Sequence, residues 1–183
     1  MVKVLQGRIA GAERLVLPMF QEMRELPPAP FLSGLGIDAG LASIAGRAIR
    51  ERAFRADAGE SLLLLAPERG AVRGVVLLGL GAEKRASLDT LRRAFGVLSR
   101  RSRKEGVKEV TAVLEAPRLS ARVGAWGHEA CAKAVVTAWT LGAYAFETYK
   151  PTQAERKVPA GLRLRIGGSV RQVERGVELA LAA

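Results

Sequence analysis

Apolar residues follow two rhythms along this chain: short continuous runs, and longer stretches with helical spacing. Residues 2–6, VKVLQ, and 13–20, ERLVLPMF, read as two short strands joined by a Gly-containing turn. Residues 25–36, ELPPAPFLSGLG, carry Pro27, Pro28 and Pro30 close together, which predicts a loop and excludes both helix and central strand. A helix is expected from Asp38, its N-cap, to about Arg55, with Leu41, Ile44, Ala45, Ala48 and Ile49 on one apolar stripe. SLLLLAP (61–67) and RGVVLLGLG (73–81) are continuous apolar runs, the pattern of strands buried on both faces. Ser87 then caps a helix that buries Leu88, Leu91, Phe95 and Leu98, gathers cations in its last turn and stops at Gly106.

KEVTAVLEAP (108–117) returns as a strand. The longest helix is expected from about Glu129 to Tyr149, with Ala132, Val135, Val136, Trp139, Ala143 and Phe146 on its stripe. A loop at KPTQAERKVPAG leads to a strand over 162–166. A final amphipathic helix follows, with Val170, Val173, Val177 and Leu181 on a face that awaits something to pack against. Strands and helices alternate throughout, which predicts one layered α/β domain over residues 1–183 with a mixed, mostly parallel sheet.

Composition narrows the class. Among 183 residues, 49% are apolar and 26% charged, which fits a globular domain with a proper core. No apolar run approaches the ~20 residues of a membrane span. The N-terminus lacks the apolar stretch of a signal peptide, and the single Cys131 cannot close an internal disulfide. Together these favour the cytoplasm. The net charge of +11 would attract polyanions, although dispersed arginines on solvated helix faces account for most of it.

The inventory for catalysis is thin. There is one histidine, and the aspartates are Asp38, Asp57 and Asp89 only. His128 has no ligand-spaced partner and reads as a surface or capping residue, so no metal site can be assembled. Cys131 falls on the apolar side of a helical pattern, where an inert thiol is expected. No G-x-S-x-G elbow is present. Gly79-Leu80-Gly81 starts like a phosphate-binding loop, but Ala82, Glu83 and Lys84 follow and the helix waits until Ser87. Glu83 also puts negative charge where a phosphate would sit. The turn is therefore expected to turn a corner and hold nothing.

The order of motifs carries more information than any one of them. F-x-x-x-x-G-E-x-x-L-L (from Phe54), V-L-L-G-L-G (from Val76), LRRAFGVLSRR (from Leu91) and L-G-A-Y-x-F-x-x-Y-K (from Leu141) follow one another at set spacing. In that order they resemble the N-terminal domain of the leucyl aminopeptidases, the cytosolic M17 metallopeptidases. The resemblance implies a three-layer α/β/α, macro-domain-like fold. It also implies an accessory, non-catalytic role beside a C-terminal domain that binds two divalent metal ions, Mn or Zn, and removes N-terminal residues from peptides. That family's metal ligands and catalytic lysine and arginine belong to the second domain, so none is carried onto this chain. The resemblance further implies a homohexameric parent, and a chain that is either an excised domain or a truncated homologue.

Two other functions compete. Some bacterial members of the family also bind DNA. Arg92, Arg93, Arg100, Arg101, Arg103 and Lys104 could contact a phosphate backbone, with about half of them expected on one helix face. Aromatic residues are scarce at 5%, which argues against base stacking. A macrodomain-like binder of ADP-ribose or another nucleotide would need an aspartate for adenine and a glycine-rich diphosphate loop. Asp38 after GLGI is the nearest match, but it also serves as a helix cap.

Overall fold

The computed structural model describes residues 1–5, 9, 11–66, 70–144 and 160–182. The strands are β1 (Val2–Val4), β2 (Arg14–Met19), β3 (Ser61–Leu65), β4 (Gly74–Gly79), β5 (Glu109–Val113) and β6 (Gly161–Arg165). The helices are α1 (Ala29–Gly34), α2 (Ala39–Arg50), α3 (Leu88–Glu105), α4 (Pro117–Trp126), α5 (His128–Ala143) and α6 (Val170–Leu181). One six-stranded sheet runs in the order β1-β6-β5-β2-β4-β3, and every pairing is parallel except β3 with β4. This is the mixed, mostly parallel α/β sheet that the alternation predicted.

Local chemistry sets the helix ends. The Asp38 carboxylate accepts from the Leu41 N–H at 2.7 Å and starts α2. Ser87 and Thr90 form a reciprocal capping box at the start of α3, which ends at Gly106 in the left-handed conformation (φ 71°). Leu41, Ala45, Ala48 and Ile49 are buried as expected, whereas Ile44 faces outward.

α2 lies over β3 and β4, and α3 lies against Val16 of β2, Leu63 of β3 and Val76 of β4. α5 packs between α3 and α6. The sheet is thus sandwiched between helices, with Leu15, Leu17, Leu77 and Phe95 fully buried between the layers.

Several expectations change. β1 and β2 are not neighbours, because β6 and β5 lie between them. β3 is not buried on both faces. It is an edge strand, with Leu62–Leu64 half-buried and Leu65 exposed, so its unbroken apolar run comes from leucine content and not from a central position. The loop over 25–36 contains α1, since Pro30 occupies the first turn, where a helix has no use for an N–H. α4 was not anticipated; Pro117 opens it directly after β5, and Ala116 offers no side-chain cap to announce it. α6 already has its partner: Val173, Gly176, Val177 and Ala180 are buried, and Gly176 sits against the Glu129 carbonyl of α5. The helix expected over 129–149 is seen to Ala143. Phe146, Tyr149, most of the loop after them and Gln6, the expected end of the first strand, lie outside the described residues.

Candidate functional site

The turn at Gly79-Leu80-Gly81 lies at the carboxyl end of β4, where open α/β sheets place their ligands. It is closed by the chain itself. Gly79 donates to the Glu60 carbonyl at 2.8 Å and accepts from the Gly59 N–H at 3.0 Å, while Gly81 donates to the Ala56 carbonyl at 2.9 Å. The Leu80 N–H donates to the Met19 carbonyl at 2.9 Å, so all three amides of the turn are engaged and none is free to face a phosphate. Beyond it, the Glu22 carboxylate accepts from the Glu83 N–H at 2.9 Å. That bond, more than any other influence, holds the Glu22 carboxyl below its usual pKa. The Glu83 carboxylate in turn faces Arg118 and Arg122 of α4 at 3.5 and 3.3 Å. The turn is a corner, latched by carboxylates on both sides. Sequence reasoning missed this latch because its four residues come from three separate elements.

The remaining chemistry is equally committed. Asp38 caps α2, Asp57 accepts from Gln21, and Asp89 pairs with Arg93 at 2.7 Å. His128 opens α5 with its ring against the Gly167-Gly168 backbone; a Cβ on Gly168 would lie 2.6 Å from the imidazole Cγ. Among the described residues no group of three His, Cys, Asp or Glu side chains could hold a metal. Cys131 is buried, with its Sγ 3.8 Å from the Val123 carbonyl, and desolvation pushes its thiol up to about 12. The thiolate is thus a minor species across the ordinary pH range. A thiol reagent at about pH 8 should leave the native protein unlabelled and modify Cys131 only after denaturant is added. Rapid stoichiometric labelling of the folded chain would contradict this burial.

The six basic residues singled out from the sequence all lie on α3. At about 100° per residue, Arg92, Arg93, Arg100, Arg103 and Lys104 fall within roughly 120° of arc, with Arg101 about 60° beyond. All but the half-buried Arg103 are exposed. Arg93 is tied to Asp89. Arg101 pairs with Glu105 at 2.7 Å and donates to the Ser61 carbonyl and hydroxyl, so it covers part of the exposed edge of β3. No helix among the described residues is long and apolar enough to cross a membrane.

Comparison with known proteins agrees with this geometry. Residues 16–153 match the model of the cytosol aminopeptidase family, N-terminal domain. A protein of Clostridium perfringens (strain 13 / Type A) named "Probable cytosol aminopeptidase" is 24% identical over 165 residues, covering 90% of this chain and 30% of that protein. The chain thus spans about a third or less of the length of such relatives. Among solved structures, a mutant of tomato leucine aminopeptidase superposes with a TM-score of 0.74 at 17% identity, covering 98% of this chain and 35% of that one. The macrodomain of Mycobacterium tuberculosis DarG superposes at 0.62 with 11% identity, over 92% of this chain and 99% of its own. The fold is therefore macro-domain-like, as the motif order implied. On the strength of the match over residues 16–153, the chain belongs to the cytosol aminopeptidase family, as its N-terminal domain.

Proposed function

We propose that this domain is the accessory, non-catalytic part of a cytoplasmic, metal-dependent leucyl aminopeptidase. The observation that carries the reading is the family match over residues 16–153. The committed state of the chain's own aspartates, histidine and cysteine supports it. Two divalent ions, Mn or Zn, would be held by the catalytic domain; the described residues of this chain do not fit them, and no step of the chemistry is assigned here. In this reading the domain's work is structural: a rigid sandwich joined to the catalytic half of a homohexamer.

The test is the protein from its native source. Its intact mass should lie well above the 19.5 kDa of this chain, and it should release leucine from a leucyl anilide when Mn or Zn is supplied. A native mass of 19.5 kDa without that activity overturns the proposal.

A second reading, DNA binding, is favoured by the solvent-facing Arg92, Arg93, Arg100 and Lys104 on α3. Such binding would be backbone-driven and would weaken steeply with salt. A gel shift that persists unchanged from low to high salt contradicts that mechanism. The nucleotide reading has less support, because Asp38 is spent as a cap and the glycine turn is closed.

A further inference from the structure

A cleft of about 520 Å³ opens between the end of α2, the segment that follows it and the chain leaving β2. Arg24, Arg50, Arg52 and Arg55 line it, against a single carboxylate, Asp57, so the lining carries four positive charges and one negative, a net of +3. Asp57 is already engaged by Gln21, and none of the four arginines forms an ion pair among the described residues. Elsewhere Arg93, Arg118, Arg122 and Arg163 are each paired with a carboxylate. Concentrating four guanidinium groups around one concavity against a single carboxylate is electrostatically unfavourable, and an anion would relieve it.

The backbone of the cleft provides a second, independent observation. Arg52 (φ 57°) and Ala56 (φ 59°) are the non-glycine residues with left-handed backbone among those described, and both line this cleft. Such conformations cost free energy and persist where the surroundings over-determine them. Here the surroundings do so: the Glu60 carboxylate accepts from the Arg55 and Asp57 N–H groups, each at 3.0 Å, and buried Ala56 is pressed against Gly79. The segment carrying Arg52 and Arg55 is thus held rigid before any ligand arrives, on a floor formed by buried Phe54 and Ile49.

We infer that this cleft binds a small anion bearing two or more phosphoryl groups. Guanidinium forks match phosphate oxygens in bidentate geometry, and a net of +3 suits a di- or triphosphate better than a single carboxylate. The site is concave and separate from the convex basic face of α3, which sets it apart from any duplex-binding surface. It also stands independently of the aminopeptidase reading.

The test uses the 183-residue chain, with pyrophosphate and tripolyphosphate as probes in a calorimetric titration at roughly 0.15 M salt. One-to-one binding is expected. It should weaken about tenfold or more in Arg24→Gln/Arg55→Gln and stay unchanged in Arg92→Gln/Arg93→Gln on α3. Arg24→Gln alone, at an exposed residue outside the strained segment, provides a second variant if the double substitution impairs folding. Absence of saturable binding overturns the inference. So does equal weakening in both double variants, which would mean a diffuse response to net charge, or displacement of the probes by duplex DNA at equal phosphate concentration.

Discussion

Gly79→Ala should be the most damaging single-methyl substitution in the domain. A Cβ at this position would lie 2.6 and 2.9 Å from the backbone C and Cα of Ala56, and closer still to the Asp57 carbonyl oxygen. None of these is a flexible side-chain end. The opposing segment is fixed in turn by the Gly59–Gly79 and Gly79–Glu60 hydrogen bonds, so relief requires breaking them or displacing β4, which is paired on both sides by β2 and β3. Overpacking against movable side chains costs about 1–3 kcal/mol, and against backbone the cost should reach about 3–5 kcal/mol. That is a large share of the ~5–15 kcal/mol that holds a domain together. Urea unfolding followed by far-UV circular dichroism would measure it. Gly124→Ala makes the control: Gly124 lies inside α4 with nothing within 4 Å of its Cβ position, so alanine should gain up to about 1 kcal/mol of helix propensity. If Gly79→Ala cost less than about 1 kcal/mol, the 56–60 segment would not be pressed against β4 as described.

Gly142→Ala should also be costly, and here two effects oppose each other. Alanine in the last turn of α5 would gain at most about 1 kcal/mol from propensity. However, its Cβ would lie 2.5 Å from the Gly96 carbonyl oxygen and 3.0 Å from the Ser99 Cβ, because α3 and α5 cross at this pair of glycines. The crossing is also tied by the buried Ser99 hydroxyl, which donates to the Trp139 carbonyl at 2.7 Å. Separating the helices to admit the methyl would stretch that bond and loosen the packing of α3 on α5. A net loss of about 2–3 kcal/mol is expected. Trp139 reports on the rearrangement, since its indole N–H donates to the Ala160 carbonyl at 2.9 Å; near-ultraviolet circular dichroism of the folded variant should change with stability. A variant more stable than the parent would show that propensity wins and that the crossing yields at little cost.

These two glycines also mark how far the sequence can be read. Gly79 is visible in the motif V-L-L-G-L-G, yet the motif suggests a ligand loop as readily as a closed corner. What decides between them is the 56–60 segment, which arrives from another part of the chain. Gly142 looks like a flaw in a helix until α3 is laid across it. The arginine cleft is a stronger case still. Arg24 follows β2, Arg50 ends α2, and Arg52 and Arg55 belong to the segment after it, so no spacing rule could collect them, whereas the six cations on α3 stand out because they are close in sequence.

Where a signal is local, the sequence alone determined the outcome. Asp38, Ser87 and Gly106 mark helix ends because a side-chain oxygen or a missing Cβ acts on amides and carbonyls a few residues away. The burial of β4, α3 and α5 follows from apolar periodicity, and the family follows from the order of motifs. Tertiary structure decided the rest. It made β3 an edge and moved β1 away from β2, because strand neighbours are chosen by pairing across the whole sheet and not by chain order. It gave α6 its cover on α5, and it brought four arginines around one cleft that includes a strained segment. Each of these depends on contacts between residues far apart in the chain, and such contacts leave no period or spacing in the sequence to read.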